Sequence, residues 1–255
     1  LDAGYKDIRF EDDNFFVNVK RVSDFCDLIF KNSIKFTWLA FSRADYLSKL
    51  PDELLSKVRK AGCNEIFVGV ESGNQEVLNL VWKDIKVEDV ILAINKLEKA
   101  DIRGYYSFVA GFPDEPEGSI YDTFDLIKYI KRVRSDNRTI IFYYTPYIGT
   151  TLSERAVELG HKYPEVFEEW GDYTMNNSEA PWITKEYRRL VDSFNWYINY
   201  GYPNYLTKER LERKKSKLFL FNILQKVCHI RLHFNYYQHT FERRLFDISK
   251  RVISW

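Results

Sequence analysis

The sequence predicts an α/β protein, a parallel sheet whose five βα units fit an open or closed α/β barrel, followed by a helical extension. Three observations carry this. Short apolar runs alternate with helical patterns at roughly thirty residues per unit, the rhythm of right-handed βαβ crossovers. The runs are apolar on both faces, as a sheet covered by helices requires. The rhythm stops near residue 160, where aromatic-rich, basic helical patterns take over.

The elements follow in order. "KDIRFEDD" (6–13) reads as a strand ending in acids. Residues 18–32 place Val22, Phe25, Cys26 and Ile29 at helical spacing. "KFTWLAFSRAD" (35–45) is the second strand. A helix over 51–62 has Pro51 at its start, acids in its first turn and Gly62 at its end. "NEIFVGVES" (64–72) is the third strand, and helices follow over 75–82 and 87–100. "GYYSFVAGFP" (104–113) is the fourth strand, followed by a helix over 117–133. "RTIIFYYTPY" (138–147) is the fifth, followed by a short helix over 151–160. Helices are expected over 184–201 and 206–254, with Pro203 between them. This gives two parts, a barrel over 1–160 and a helical, aromatic-rich, basic extension over 161–255.

Composition bounds the function. Hydrophobic residues at 45% against 29% charged mark a globular chain with a real core. The net charge of +1 hides an asymmetry: residues 1–200 carry 26 basic against 33 acidic side chains, and residues 201–255 carry 12 against 4. Such a basic tail could lie on the acidic body, on an acidic partner or on an anionic surface. An amphipathic helix packing on the barrel is the plainer account of its basic run, and peripheral membrane contact through 206–255 the other. Three scattered cysteines, Cys26, Cys63 and Cys228, suggest neither a disulfide framework nor a metal motif. No apolar stretch approaches a membrane span and no signal peptide is visible, so a reduced, cytoplasmic protein is expected. No recognisable nucleic-acid-binding module accompanies the basic tail. The chain opens on Leu1 and its only methionine is Met175, which reads as part of something longer.

In parallel α/β proteins ligands bind at the carboxyl ends of the strands. The residues gathered there are Asp12 and Asp13, Arg43, Glu71 and Ser72, Gly111-Phe112-Pro113, and Tyr147. Carboxylates accept from an ammonium or from ribose hydroxyls, and a guanidinium pairs with a carboxylate. Glycines let backbone approach a flat base, and Phe112 or Tyr147 supplies a wall. The set suits a ligand with an ammonium, a carboxylate, a ribose and a base.

Five stretches, "FEDDNF", "FSRADYL", "AGCNEIFVGVESGNQEVL", "FVAGFPDEPEGSIYDT" and "YYTPYIGTTLSERAVELG", occur in this order on five strand ends. Together they resemble the radical S-adenosylmethionine (SAM) enzymes. The resemblance is to the branch with an N-terminal cobalamin-binding domain, which includes the magnesium-protoporphyrin cyclases and many methyltransferases. It covers residues 1–160. It implies a partial (β/α) barrel of the radical SAM type, a [4Fe–4S] cluster on three cysteines, SAM on the cluster, and in this branch cobalamin as a methyl carrier. The substrate would be a small organic or lipid-like molecule, and the electron would come from a reductant protein such as flavodoxin or ferredoxin. Carried over, Asp12 and Asp13 fall near the SAM amino end and Arg43 where a carboxylate partner is useful. Glu71 and Ser72 fall on the ribose-facing turn, Gly111, Phe112 and Pro113 on the adenine side, with Tyr147 bordering the same face.

The sequence departs from the family pattern. The Cys-x3-Cys-x2-Cys loop is absent, and is expected upstream of Leu1, because the first strand here matches the family's second. The chain alone is therefore expected to be inactive. Asp114 stands where the family has glycine, and Ile148 where it has proline; aspartate tolerates the left-handed region better than most residues.

Plainer readings stay open at each position. Asp12-Asp13 and Glu71-Ser72 also suit helix caps. Arg43 and Asp45 also suit a surface ion pair, and Gly111-Phe112-Pro113 a tight turn. His229 and His233 stand at metal-binding spacing, with His239 beyond, but an ordinary helix face is the simpler account. Rival readings are a radical SAM methylthiotransferase acting on RNA, and a barrel that lost its cluster and kept only a ligand pocket.

Overall fold

Strand order explains the curl of the sheet. β1 (Asp7–Arg9), β2 (Thr37–Arg43), β3 (Cys63–Glu71), β4 (Arg103–Ala110) and β5 (Arg138–Tyr143) pair in parallel in the order β1-β2-β3-β4-β5. Each crossover steps one strand further in the same direction. With the right hand that parallel crossovers adopt, every connecting helix lands on one face and the sheet curves around the other. The result is a partial (β/α) barrel, the open alternative of the sequence reading and the form that the family resemblance implies. The structure, a computed structural model, describes residues 4–171, 173, 180–203, 215–238, 240–243 and 246.

Burial follows the two-residue period of a strand. Trp38, Ala40 and Ser42 of β2 and Ile66, Val68 and Val70 of β3 are buried, while the residues between them are half-buried. Phe41, Phe67 and Tyr105 form a row across three neighbouring strands, with ring centroids 4.9 and 4.8 Å apart. The Arg9 guanidinium covers one end of the row, 4.7 Å from Phe41, and Arg138 the other, 4.0 Å from Tyr105.

The helices start and stop where side chains satisfy their ends. α1 (Val19–Lys31) starts on Asn18, whose side chain accepts from the Arg21 N–H at 2.9 Å. A short α2 (Ala44–Leu47), absent from the sequence reading, follows β2 directly. α3 (Asp52–Lys60) opens with Asp52 and Glu53 and closes with Lys57, Arg59 and Lys60, matching the helix dipole. α4 (Gln75–Leu80) starts on Asn74, which accepts from the Val77 N–H at 3.1 Å. α5 (Val87–Lys99), α6 (Ile120–Val133) and α7 (Thr151–Glu158) complete the series. β1 is shorter than the run 6–13, because Phe15 and Phe16 turn back into the core in a single 3-10 turn. Phe15 joins Phe10, Phe25 and Trp38 in a cluster of tilted and edge-to-face rings.

The chain divides into two compact units, Leu1–Trp182 and Ile183–Trp255. The first runs past residue 160. Tyr173 donates to the Pro146 carbonyl, and the Trp182 indole donates to the Gly111 carbonyl at 2.9 Å. The second holds α8 (Lys185–Gly201) and α9 (Lys215–His233). Residues 204–214, His239 and 247–255, within or beside the helix expected over 206–254, lie outside the described residues. α8 buries Val191, Phe194, Tyr197 and Ile198, and α9 buries Phe221, Leu224, Cys228 and Leu232. The Gln225 amide donates to the Gly201 carbonyl at 2.9 Å, and the His229 ring lies 3.0 Å from the same oxygen, so both close the end of α8. Glu242 is buried and accepts from Tyr197 Oη at 2.6 Å and from Arg231 Nε at 2.7 Å. Burial pushes its carboxyl up, but these bonds outweigh burial and hold it below the ordinary range.

Two predictions follow from packing. Gly62 sits at φ +99°, and an added Cβ would lie 2.2 Å from the Phe36 carbonyl oxygen. Gly62→Ala should cost roughly 1–3 kcal/mol or more, read as a lower midpoint in urea. Glu242 has a lowered folded pKa, so its contribution is present above the ordinary value of 4.5 and fades as pH falls through the folded value. Glu242→Gln should therefore destabilise by about 1–3 kcal/mol at neutral pH, with the gap from wild type closing in acid melts.

Candidate functional site

Strand β3 ends in strain. Its pairing with β4 shifts between Gly69 and Glu71, and Glu71 adopts φ +68°, a conformation that non-glycine residues avoid. The surroundings hold it there. Ser72 is buried and its hydroxyl meets Thr123 Oγ1 of α6 at 3.2 Å. The Gly73 N–H donates to the same Thr123 oxygen at 2.9 Å. A Cβ on Gly73 would meet the Asp122 carbonyl oxygen at 2.5 Å, so only glycine lets this turn dock on α6. The helix cap is Asn74, and Ser72 Oγ accepts from the Asn74 N–H at 3.1 Å.

The Glu71 carboxylate bonds Lys83 Nζ at 2.5 Å, and both side chains are about four-fifths covered. Lys83 stands between Trp82 and Asp84, both at φ +52°. Arg43 fixes that loop. Its Nη2 donates to the Lys83 carbonyl at 3.0 Å and the Asp84 carbonyl at 3.3 Å, and its Nε pairs with Asp45 at 2.9 Å. Arg43 thus acts on Lys83 through the backbone. A Cβ at Gly69 would lie 3.1 Å from Glu71 Oε1 and 3.3 Å from Lys83 Nζ, so glycine gives the ion pair its place on the sheet.

At the end of β4, Glu115 holds the turn. Its Oε2 accepts from the Gly111 and Phe112 N–H groups at 2.7 and 3.1 Å, and its Oε1 from the Ser119 hydroxyl at 2.9 Å. Gly111 is at φ +79° and Asp114 at φ +57°, as expected for aspartate in place of glycine. Asp114 is gripped by both Nε and Nη2 of Arg155, at 2.6 and 2.8 Å, which keeps its carboxyl below the usual range. The buried Phe112 and Pro113 close this corner, with Phe112 5.2 Å from the Tyr144 ring.

These strand ends enclose a cavity of about 810 Å³, lined among others by Glu71, Trp82, Lys83, Phe112, Tyr144, Tyr147 and Arg155. Of the residues singled out from sequence, Glu71, Phe112 and Tyr147 line it. Arg43, Ser72, Gly111 and Pro113 stand behind its walls and position them. Asp12 pairs with Arg21 at 3.1 Å and Asp13 is exposed; neither lines the cavity. Lys83, Trp82, Tyr144 and Arg155 were missed. "VWKD" carries a signal only in hindsight, as a cation in the connection leaving α4.

The volume lies in the range of small-molecule sites. A carboxylate and an ammonium with aromatic walls can hold a zwitterion that carries a ribose and a flat base, which fits SAM. The cysteines do not fit a [4Fe–4S] cluster. Cys26, Cys63 and Cys228 are each buried, and burial raises all three thiols, Cys26 to about 11 and Cys228 to about 12. Among the described residues no group of three or more His, Cys, Asp or Glu could hold a metal ion.

A parallel partial barrel with a ligand cavity at its strand ends defines a class of α/β barrel proteins. Within that class, residues 2–127 match the radical SAM superfamily. It is 30% identical over 154 residues to the uncharacterized methyltransferase PH0819 of Pyrococcus horikoshii, covering 60% of this chain and 32% of that protein. It is 24% identical over 249 residues to the anaerobic magnesium-protoporphyrin IX monomethyl ester cyclase of Rubrivivax gelatinosus, covering 94% of this chain and 40% of the cyclase. In fold it is similar to the cobalamin-dependent SAM radical enzyme OxsB, solved with aqua-cobalamin bound. The TM-score is 0.58 at 16% identity, over 98% of this chain and 43% of OxsB. The chain thus spans about a third of the methyltransferase and two-fifths of the cyclase.

Thr123→Val should free the Ser72-Gly73 turn by removing both of its bonds to α6. The expected result is faster amide exchange at 71–74, with a stability loss of about 1 kcal/mol.

Proposed function

We propose that this chain is the SAM-binding barrel of a radical SAM enzyme that carries out cobalamin-dependent methyl transfer or a radical rearrangement on a small organic or lipid-like substrate. The observation that carries the reading is the Glu71–Lys83 pair in the cavity at the end of β3. Kinship to a named methyltransferase and to a cyclase supports the reaction class.

The residues divide the work by charge. Lys83 meets the SAM carboxylate, and Glu71, released from part of its bond to Lys83, accepts from the ribose hydroxyls. Phe112, Tyr144 and Tyr147 wall the adenine. Arg43 and Ser72 act at one remove, through the Lys83 loop and the Thr123 contact. The cluster is assigned to cysteines outside these 255 residues, since those present do not fit it. Cobalamin, where the whole protein binds it, supplies a carrier for the methyl group. A reductant protein of the flavodoxin or ferredoxin kind belongs to the same proposal.

Titration calorimetry with SAM tests the site without the cluster. Lys83→Met and Glu71→Gln should each weaken binding by about tenfold or more, the worth of one charge-assisted hydrogen bond. Wild-type protein that takes up no SAM, or variants that bind it equally well, would overturn the assignment. For the reaction, the full-length protein loaded anaerobically with iron and sulfide should release 5′-deoxyadenosine or transfer a methyl group from SAM.

A further inference from the structure

Helix α9 carries two opposed apolar faces. At roughly 100° per residue, Phe221, Leu224, Cys228 and Leu232 fall on one side, and all four are buried. Phe219, Ile223, Ile230 and Phe234 fall on the other. They are 67%, 49%, 58% and 70% exposed. Phe234 stays in line because its N–H still bonds the Ile230 carbonyl, at 3.1 Å. Among the described residues, packing within the second unit accounts for one face, and the outer stripe is left exposed.

Charge says what would cover it. The helix Lys215–His233 contains no Asp or Glu and carries Lys215, Lys217 and Lys226, besides His229 and His233, while its Arg231 is already paired with Glu242. Lys226 lies within the outer stripe, between Ile223 and Ile230, and is exposed. A second copy of the chain would bring the same acid-free surface against itself, cation facing cation. An anionic bilayer offers apolar depth for Phe219, Ile223, Ile230 and Phe234, and negative headgroups for a lysine that snorkels among them. No helix among the described residues is long and apolar enough to cross a membrane, so contact would be in the plane of the surface.

We propose that the outer face of α9 docks this protein on an anionic lipid bilayer. The inference does not depend on the reading of the cavity. The test is co-sedimentation of the full chain with vesicles of phosphatidylcholine, with and without roughly a third phosphatidylglycerol, in low and high salt. Wild type should bind the phosphatidylglycerol vesicles, and added salt should weaken binding. Ile223→Glu with Ile230→Glu, both at exposed positions, should lower binding by about tenfold or more while circular dichroism and melting stay unchanged. Lys226→Glu should lower it on the anionic vesicles and leave the weak binding to pure phosphatidylcholine as it was. Failure of wild type to bind, or undiminished binding by the double variant, would overturn the proposal. So would a wild-type dimer that the double variant turns into a monomer without any lipid.

Discussion

The hand of the parallel crossover is the constraint on which the rest depends. Because the strands run β1 to β5 without a reversal, every connection must travel over the same face. That face takes the helices and their apolar stripes. The other is left concave, and all strand ends open on one rim. Nothing about Glu71, Phe112 or Tyr147 would bring them together in a sheet of mixed order. The topology converts residues 35 to 76 positions apart in the sequence into neighbours around one cavity.

On that rim the chemistry is set by what stands one layer back. Glu71 holds an unfavourable backbone conformation because Ser72 and Gly73 are pinned to Thr123. Lys83 reaches it because Arg43 grips the Lys83 and Asp84 carbonyls of that loop. Glu115 spends its carboxylate on the N–H groups of Gly111 and Phe112. Glu71, Lys83 and Phe112 touch the cavity, and each is positioned by a polar group that does not line it. This is how a loop-built site keeps the geometry of a rigid one.

Much of the fold was legible in the sequence, for physical reasons. Runs such as "EIFVGV" are apolar because the sheet buries them, and Gly62 marks a helix end because only glycine takes φ +99° there without clash. The site was legible only in part. Glu71, Phe112 and Tyr147 could be found because strand ends are where such folds bind ligands. Lys83 is twelve residues beyond its partner, across a helix and two left-handed turns that no local pattern announces. Arg155 answers Asp114 from 41 residues away, and Ser72 turns its hydroxyl to Thr123 from 51 away. Spacing along a chain does not reveal such pairings. The same holds for the outer stripe of α9, where composition gave the basic tail but not which face of the helix stays open.

The Asp114–Arg155 grip has a consequence for discrimination between ligands. Arg155 is the second cation of the cavity lining, yet it is already held by Asp114 and, at 2.8 Å, by Glu158. Lys83 is likewise matched by Glu71. Each positive group thus meets a visitor with its countercharge in place, and around Arg155 the carboxylates are in excess. A polyanion entering here would have to displace both Glu71 from Lys83 and Asp114 from Arg155, whereas a single carboxylate need only loosen the Glu71 bond. The rim would therefore disfavour ligands of high negative charge relative to those that carry one carboxylate.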